Sequence, residues 1–287
     1  MSFLEQYETI ARLGVFGGIF LLMAVLEITI PRKKPVLAKG PRWFTNISLI
    51  IVDTLALRLA MPILAVAMAE YAAGRGWGVL NSVDLSIWAE TMIAFLLLDM
   101  LIYAQHIAFH KVPLLWRFHK VHHADRDLDV TSGVRFHPVE SLISMVYKLA
   151  CIVVIGPAAF AVFLFEVLLN AASMFNHANM RLPLGLDRLL RLFIVTPDMH
   201  RVHHSIIERE TNSNYSFFLT LWDRVFGTYI AQLEKGHDDM VIGLSEYQDS
   251  KPTQLIWSLL VPFAQKQGPR IKTGGNSKER HPVLKSD

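Results

Sequence analysis

The chain has 287 residues, 52% of them hydrophobic and 18% charged, with a formal net charge of +3 and one cysteine. That balance is too apolar for an ordinary soluble domain and points to an integral membrane protein. The charge is too small and too scattered for nucleic-acid binding, and a lone thiol, Cys151, excludes an intrachain disulfide and reads as a small core hydrophobe.

The N-terminus carries Glu5 and Glu8 instead of a basic leader, so the first apolar run is expected to stay as an anchor. That run covers about residues 13 to 30 and is closed by Pro31 and Arg32-Lys33-Lys34. Second and third spans are expected over about 44 to 68 and 86 to 105, each long enough at about 1.5 Å per residue. The stretch from about 141 to 175 would reach about 50 Å as one helix, too long for a single crossing. Gly156-Pro157 near its middle predicts two shorter helices that enter and return as a hairpin. Arg32, Lys33, Lys34, Lys39 and Arg42 crowd the first connection, whereas Arg75 is the basic residue of the second, so the first is expected on the cytoplasmic side. Span three then returns the chain to that side at about residue 106, and the hairpin keeps everything after it there. Residues 1–264 are expected to form one membrane-embedded, all-α domain whose later helices make a cytoplasmic cap. The polar stretch 265–287, with a solvated His281, reads as a loose tail.

Residues 119–123 read HKVHH and residues 200–204 read HRVHH, in a chain with 12 histidines. About 0.02 such matches are expected by chance, so the pattern needs a cause. Positions i, i+3 and i+4 share a helix face, which groups His119, His122 and His123, and again His200, His203 and His204. His106 and His110 make a further i, i+4 pair, and His177 adds a ninth imidazole at the end of the hairpin. One metal ion saturates at about four to six ligands, so this set suggests two.

Asp99, Tyr103, His106 and His110 form one helical stripe. A carboxylate within a span is expensive, so Asp99 either orients an imidazole on a neighbouring helix or pairs with Arg58 or a helix end. Asp198, Asn214 and Asp223 are candidates for orienting the ligands or holding the cap. Trp222 and Phe226 are expected to pack the cap onto the membrane helices, and His237 to sit in a surface loop. Imidazole leaves zinc, copper, iron and nickel open. No HExxH motif occurs, and clustered triplets would crowd a haem plane. Two irons fit best, because neutral imidazoles leave the metal charge uncompensated and favour a strongly electrophilic oxidised state.

The ordered set HxxxH, HxxHH, a histidine after a membrane hairpin and a second HxxHH resembles the fatty acid hydroxylase and sterol desaturase superfamily of membrane-bound non-haem di-iron oxygenases. The closing residues 211–229, TNSNYSFFLTLWDRVFGTY, look like that family's ending, and RFHPVE (135–140) and TPDMHRVHH (196–204) are similar to its bacterial sterol-desaturase-like branch. The resemblance covers about residues 95 to 230. It implies about four membrane helices, the last two a hairpin, under a histidine-rich cytoplasmic cap. It further implies two irons, O2, and hydroxylation or desaturation of an aliphatic position on a sterol, fatty acyl or other isoprenoid lipid from the bilayer. With no HPGG segment in the chain, electrons are expected from a separate protein of ferredoxin or cytochrome b5 type with its reductase. Fatty acid 2-hydroxylases carry a further histidine where this chain has Ser173, which argues against that activity. His137 either substitutes as a ligand or caps the helix that begins beside Pro138. Two rival classes are a membrane zinc hydrolase of lipid amides or esters and a non-catalytic metal-binding membrane protein.

Overall fold

A computed structural model describes residues 3–264; the expected tail over 265–287, with His281, lies outside the described residues. Among the described residues the chain is helical, with isolated bridges but no strand. The membrane part comprises α1 (Phe3–Thr29), α2 (Lys39–Ala60), α3 (Ala65–Arg75), α4 (Ile87–Lys111), and, after α5 (Pro113–His123), α6 (Pro138–Ile155) and α7 (Ala159–His177). Five segments are long and apolar enough to cross a membrane, with α2 and α3 counted as one run from residue 39 to 82. That is one more than the family resemblance implies, because the hairpin contributes two helices to the three earlier spans.

The second span differs from its expected form. It breaks between α2 and α3 because Pro62 forces Met61 out of the helical region, and Met61 is extended at φ −110° and ψ 110°. The hairpin forms where Gly156-Pro157 predicts it. Gly156 ends α6 in the left-handed region at φ +69°. The turn is packed closely: a Cβ on Gly78 would lie 2.2 Å from the Gly156 nitrogen. At this end of the bundle the Val79 N–H donates to Val154 O (3.0 Å) and Ala158 N–H to the Glu90 carboxylate (2.7 Å).

The membrane core lies between α3, α4, α6 and α7, where Leu98, Ile102, Ile152, Val162 and Phe165 are buried together. Cys151 packs at its margin. Outward positions such as Ile28, Leu59, Trp88 and Val154 are exposed and apolar, as a lipid-facing surface requires. At the opposite end α5, α8 (Leu184–Leu190), α9 (Pro197–His203) and the loops to residue 264 form the cap.

A buried polar belt ties the cap to α2. Arg42 pairs with Asp125 (2.7 Å) and Asp129 (2.8 Å), Asn46 donates to Asp125 and Thr131, and Arg135 donates to Asn46 (2.6 Å) and to the Val121 carbonyl (2.8 Å). Burial alone would push the Asp125 carboxyl up, but Arg42 and Arg135 beside it hold it below the usual carboxylate range. Removing one partner of such a buried network leaves the others uncompensated. The belt therefore fixes the segment that follows the first HxxHH.

Candidate metal centre

The end of α4, the end of α5, the end of α7 and the whole of α9 converge on one buried volume. Their nine histidines fall into two groups. His106, His110, His119, His123 and His203 each offer a ring nitrogen within 4.8 Å of one another, and so do His122, His177, His200 and His204. The groups touch, with the His123 and His204 rings stacked at 4.5 Å between centroids. All nine side chains are buried.

Each HxxHH is divided between the groups. On a helix, i and i+4 lie about 40° apart and i+3 flanks them on the other side, about 100° from i+4. Accordingly His119 and His123 join the first group and His122 the second, whereas His200 and His204 join the second and His203 the first. The expectation that each triplet points one way is thus refined: the two motifs interlock, each giving two imidazoles to one group and one to the other.

The tautomers are set by the surroundings. The His122 Nδ1–H donates to Arg135 O (3.2 Å) and the His177 Nδ1–H to Ser173 O (2.7 Å). A carbonyl only accepts, so in these neutral rings Nε2 carries a lone pair. Yet the two Nε2 atoms face each other at 3.1 Å. His106, whose Nδ1–H donates to Tyr215 O (2.7 Å), meets the Nε2 of His119 at 3.1 Å as well. Facing lone pairs repel unless a cation lies between them. Both ring nitrogens of His123, and one each of His110, His200, His203 and His204, are also buried without a hydrogen-bond partner. Convergent, uncompensated nitrogens of this kind fit two metal ions. Burial pushes the His119 imidazole down to about 3 and those of His122, His123, His200, His203 and His204 well below their usual value, so the rings are neutral and competent as ligands at neutral pH.

Glu140, which sequence reasoning passes over, bonds to His119 Nδ1 at 2.6 Å. The available signal was a carboxylate in the first turn of an apolar helix, within the RFHPVE segment. His137 is not among the nine. Its Nδ1 accepts from Val139 N–H (3.1 Å), capping α6, and its Nε2–H donates to Leu259 O (3.2 Å).

Asp99 reaches neither an imidazole nor Arg58. Its carboxylate accepts from Trp222 Nε1–H (2.8 Å) and Leu219 N–H (3.2 Å), which clamps the short helix Leu221–Val225 onto α4. Phe226 stacks on Tyr103 at 5.5 Å, so Trp222 and Phe226 do pack the cap against a membrane helix. The Asp223 carboxylate accepts from Tyr215 N–H, Ser216 N–H and the Thr228 hydroxyl. With its hydrogen committed to Asp223, the Thr228 hydroxyl accepts from the Tyr103 OH at 2.9 Å. Asn214, left-handed at φ 49°, donates to Met199 O and accepts from Ile230 N–H. Asp223 and Asn214 thus hold the loop whose Tyr215 carbonyl orients His106. Asp198 bonds to none of the nine clustered imidazoles and pairs with Arg32 at 3.0 Å. His237 corrects its expectation as a surface residue: its side chain is 10% exposed, 3.7 Å from Asp198, because the 236–239 turn folds onto α9.

A cavity of about 230 Å³ starts at His106 and His119 and continues between α4, α6 and α7 as far as Lys148 and Asn170. It lies within the membrane-spanning part of the bundle.

Residues 91–228 match the family model described as fatty acid hydroxylase. Alkylglycerol monooxygenase of Danio rerio is 31% identical over 144 residues, half of this chain and 31% of that protein. Ornithine lipid hydroxylase OlsE of Rhizobium tropici is 30% identical over 141 residues, 49% of this chain and 41% of that protein. Cholesterol 25-hydroxylase of Mus musculus is 29% identical over 143 residues, 49% of this chain and 46% of that protein. The chain thus spans between about a third and a half of the length of these relatives. No solved structure matches it.

Proposed function

The fatty acid hydroxylase domain over residues 91–228 makes this chain a member of the fatty acid hydroxylase/sterol desaturase superfamily, and on that premise we propose that it oxidises an aliphatic C–H position of a membrane lipid, using O2 and two non-haem irons. The five-histidine group would hold one iron and the four-histidine group the other. With O2 and electrons supplied by a separate protein of ferredoxin or cytochrome b5 type and its reductase, the irons provide the oxidising chemistry when bound. The rest belongs to the chain. Glu140 fixes the tautomer and raises the basicity of His119. Backbone carbonyls do the same for His106, His122, His177 and His203. Buried Ile102, Gln105, Phe109 and Gly133 wall the cavity at its imidazole end, where it would present one carbon of the lipid to His106 and His119. The relatives named above are monooxygenases or hydroxylases of an alkylglycerol, an ornithine lipid and cholesterol, which supports lipid hydroxylation over the zinc-hydrolase reading. The basic first connection supports a cap on the cytoplasmic side.

The observation that carries this reading is the pairing of two imidazole groups, lone pairs opposed, with a cavity that enters the membrane part of the bundle. The test is metal content after anaerobic purification, together with reductant-dependent O2 uptake in the presence of lipid extract. About two irons per chain and uptake that depends on both lipid and reductant are expected. Firmly held zinc with lipid hydrolysis and no O2 uptake would replace this reading with the hydrolase.

A further inference from the structure

Four ionisable side chains meet where α1, α6 and α7 come together, the α1 pair Arg12 and Glu8 partly exposed. Lys148 of α6 bonds to one carboxylate oxygen of Glu166 on α7 (2.7 Å), and Arg12 of α1 bonds to the other (2.8 Å) and to Glu8 (2.8 Å). Lys148 and Glu166 are only 14% and 13% exposed. Charged groups within a span are costly and tend to mark a substrate path. Lys148 also lines the cavity, and so does Asn170. Among the described residues Glu166 is the one hydrogen-bond partner of the Lys148 ammonium, which has three donors, and the Asn170 amide has none. On α6, Lys148 lies two turns beyond Glu140, about 12 Å along the axis, and on α7 Asn170 lies about 10 Å before His177. The cavity therefore has an imidazole end and a hydrogen-bonding end.

We propose that Lys148 and Asn170 form a subsite that grips a neutral oxygen on the substrate, a hydroxyl, ether or carbonyl, and so fixes which carbon lies at the histidines. Two cations and two carboxylates already balance in the quartet, so a neutral acceptor adds no unmatched charge, whereas an anion would. The cavity, at about 230 Å³, is below the roughly 300–1,000 Å³ of sites that enclose a drug-sized ligand. It therefore holds only a segment of a lipid, and a polar handle is what would set the register of that segment. This inference rests on the oxygenase reading for its purpose, but its test reads binding and needs no turnover.

The full chain in lipid nanodiscs is titrated with radiolabelled 1-hexadecanol, hexadecane and palmitate, with empty nanodiscs subtracted. The wild type is expected to bind hexadecanol more tightly than hexadecane. Lys148→Met is expected to lose about tenfold in hexadecanol affinity, the size of one hydrogen bond to a charged group, with hexadecane binding unchanged and Lys148→Arg partly restoring the preference. Asn170→Leu, which breaks no hydrogen bond among the described residues, is expected to move the same ratio less and serves where Lys148→Met fails to accumulate. Equal binding of hexadecanol and hexadecane by the wild type, or a preference untouched by these variants, overturns the proposal. A Lys148-dependent preference for palmitate over hexadecanol overturns the neutral-oxygen assignment.

Discussion

An imidazole whose Nδ1 hydrogen is committed to an oxygen has one orientation and one lone pair left to offer. His106, His119, His122, His177 and His203 are all in that state. Four of the accepting oxygens are backbone carbonyls, which no substitution removes directly; the fifth is Glu140, and it can be changed. Glu140→Gln keeps a side-chain oxygen beside His119 Nδ1, and Glu140→Ala removes it. We expect metal retention to fall about 10-fold in the first and towards 100-fold in the second, the range typical of such supporting groups. Metal per chain after dialysis against a weak chelator measures it, and retention equal to wild type in both variants would remove Glu140 from this role. The gathering of the nine histidines could be read from the sequence because helical spacing is local. Glu140 could not, since its tie to His119 spans 21 positions and depends on how α6 packs on α5. Asp99 was conspicuous for its cost in an apolar helix, yet its partners came from a loop more than 100 residues away.

At the scale of helices, the division of each HxxHH between two groups follows from 3.6 residues per turn. A short helix facing another of the same pattern can serve two ions that lie side by side. What holds α5 and α9 in that register is the arrangement of spans beneath them, including the hairpin turn. There Gly78, at φ +94°, lies against Gly156, at φ +69°, with no space for a side-chain carbon on either. Gly78→Ala would both strain a left-handed backbone and push the α3–α4 connection away from the turn. Costs of about 1–3 kcal/mol accompany each such effect, so a drop of several degrees in the detergent-solubilised melting temperature is expected, against little change for Gly74→Ala, which meets no atom within 4 Å. Equal melting of the two variants would deny the turn this part. The hairpin was legible because Gly-Pro interrupts a run too long to cross once. The break at Pro62 was missed because the apolar residues around it keep the hydropathy of a continuous span, and proline acts on the residue before it without changing that pattern.

For the molecule as a whole, the consequence of gathering so many neutral imidazoles in a buried cap is a stability that depends on metal and pH together. Hydrophobic patterning was enough to anticipate a helical membrane body. The buried belt of Arg42, Asp125, Asn46 and Arg135 was not anticipated, because charged residues near a span read as loop charges until packing pairs them. That belt holds the first HxxHH in place with or without metal, so a folded metal-free form is expected and its acid response can be measured. His119 falls from 6.5 in the unfolded chain to about 3 in the folded one, and five further cap histidines are also lowered by burial. A base whose folded value is depressed contributes stability that is complete above its unfolded value and is lost as pH falls towards the folded one. Below about pH 6.5 each such histidine therefore removes up to about 1.4 kcal/mol per pH unit, because the unfolded chain takes up protons that the folded chain refuses. The metal-free protein's melting temperature should fall steeply from pH 6.5 to 5. Metal bound only to the folded chain raises the whole curve by mass action, so the fall should begin at lower pH in the loaded protein. Thermal unfolding of both forms across that range is the measurement. A metal-free chain whose melting temperature stays flat to pH 5 would mean that its cap opens to solvent without metal, and that bound ions, not the packed helices, hold the imidazoles together.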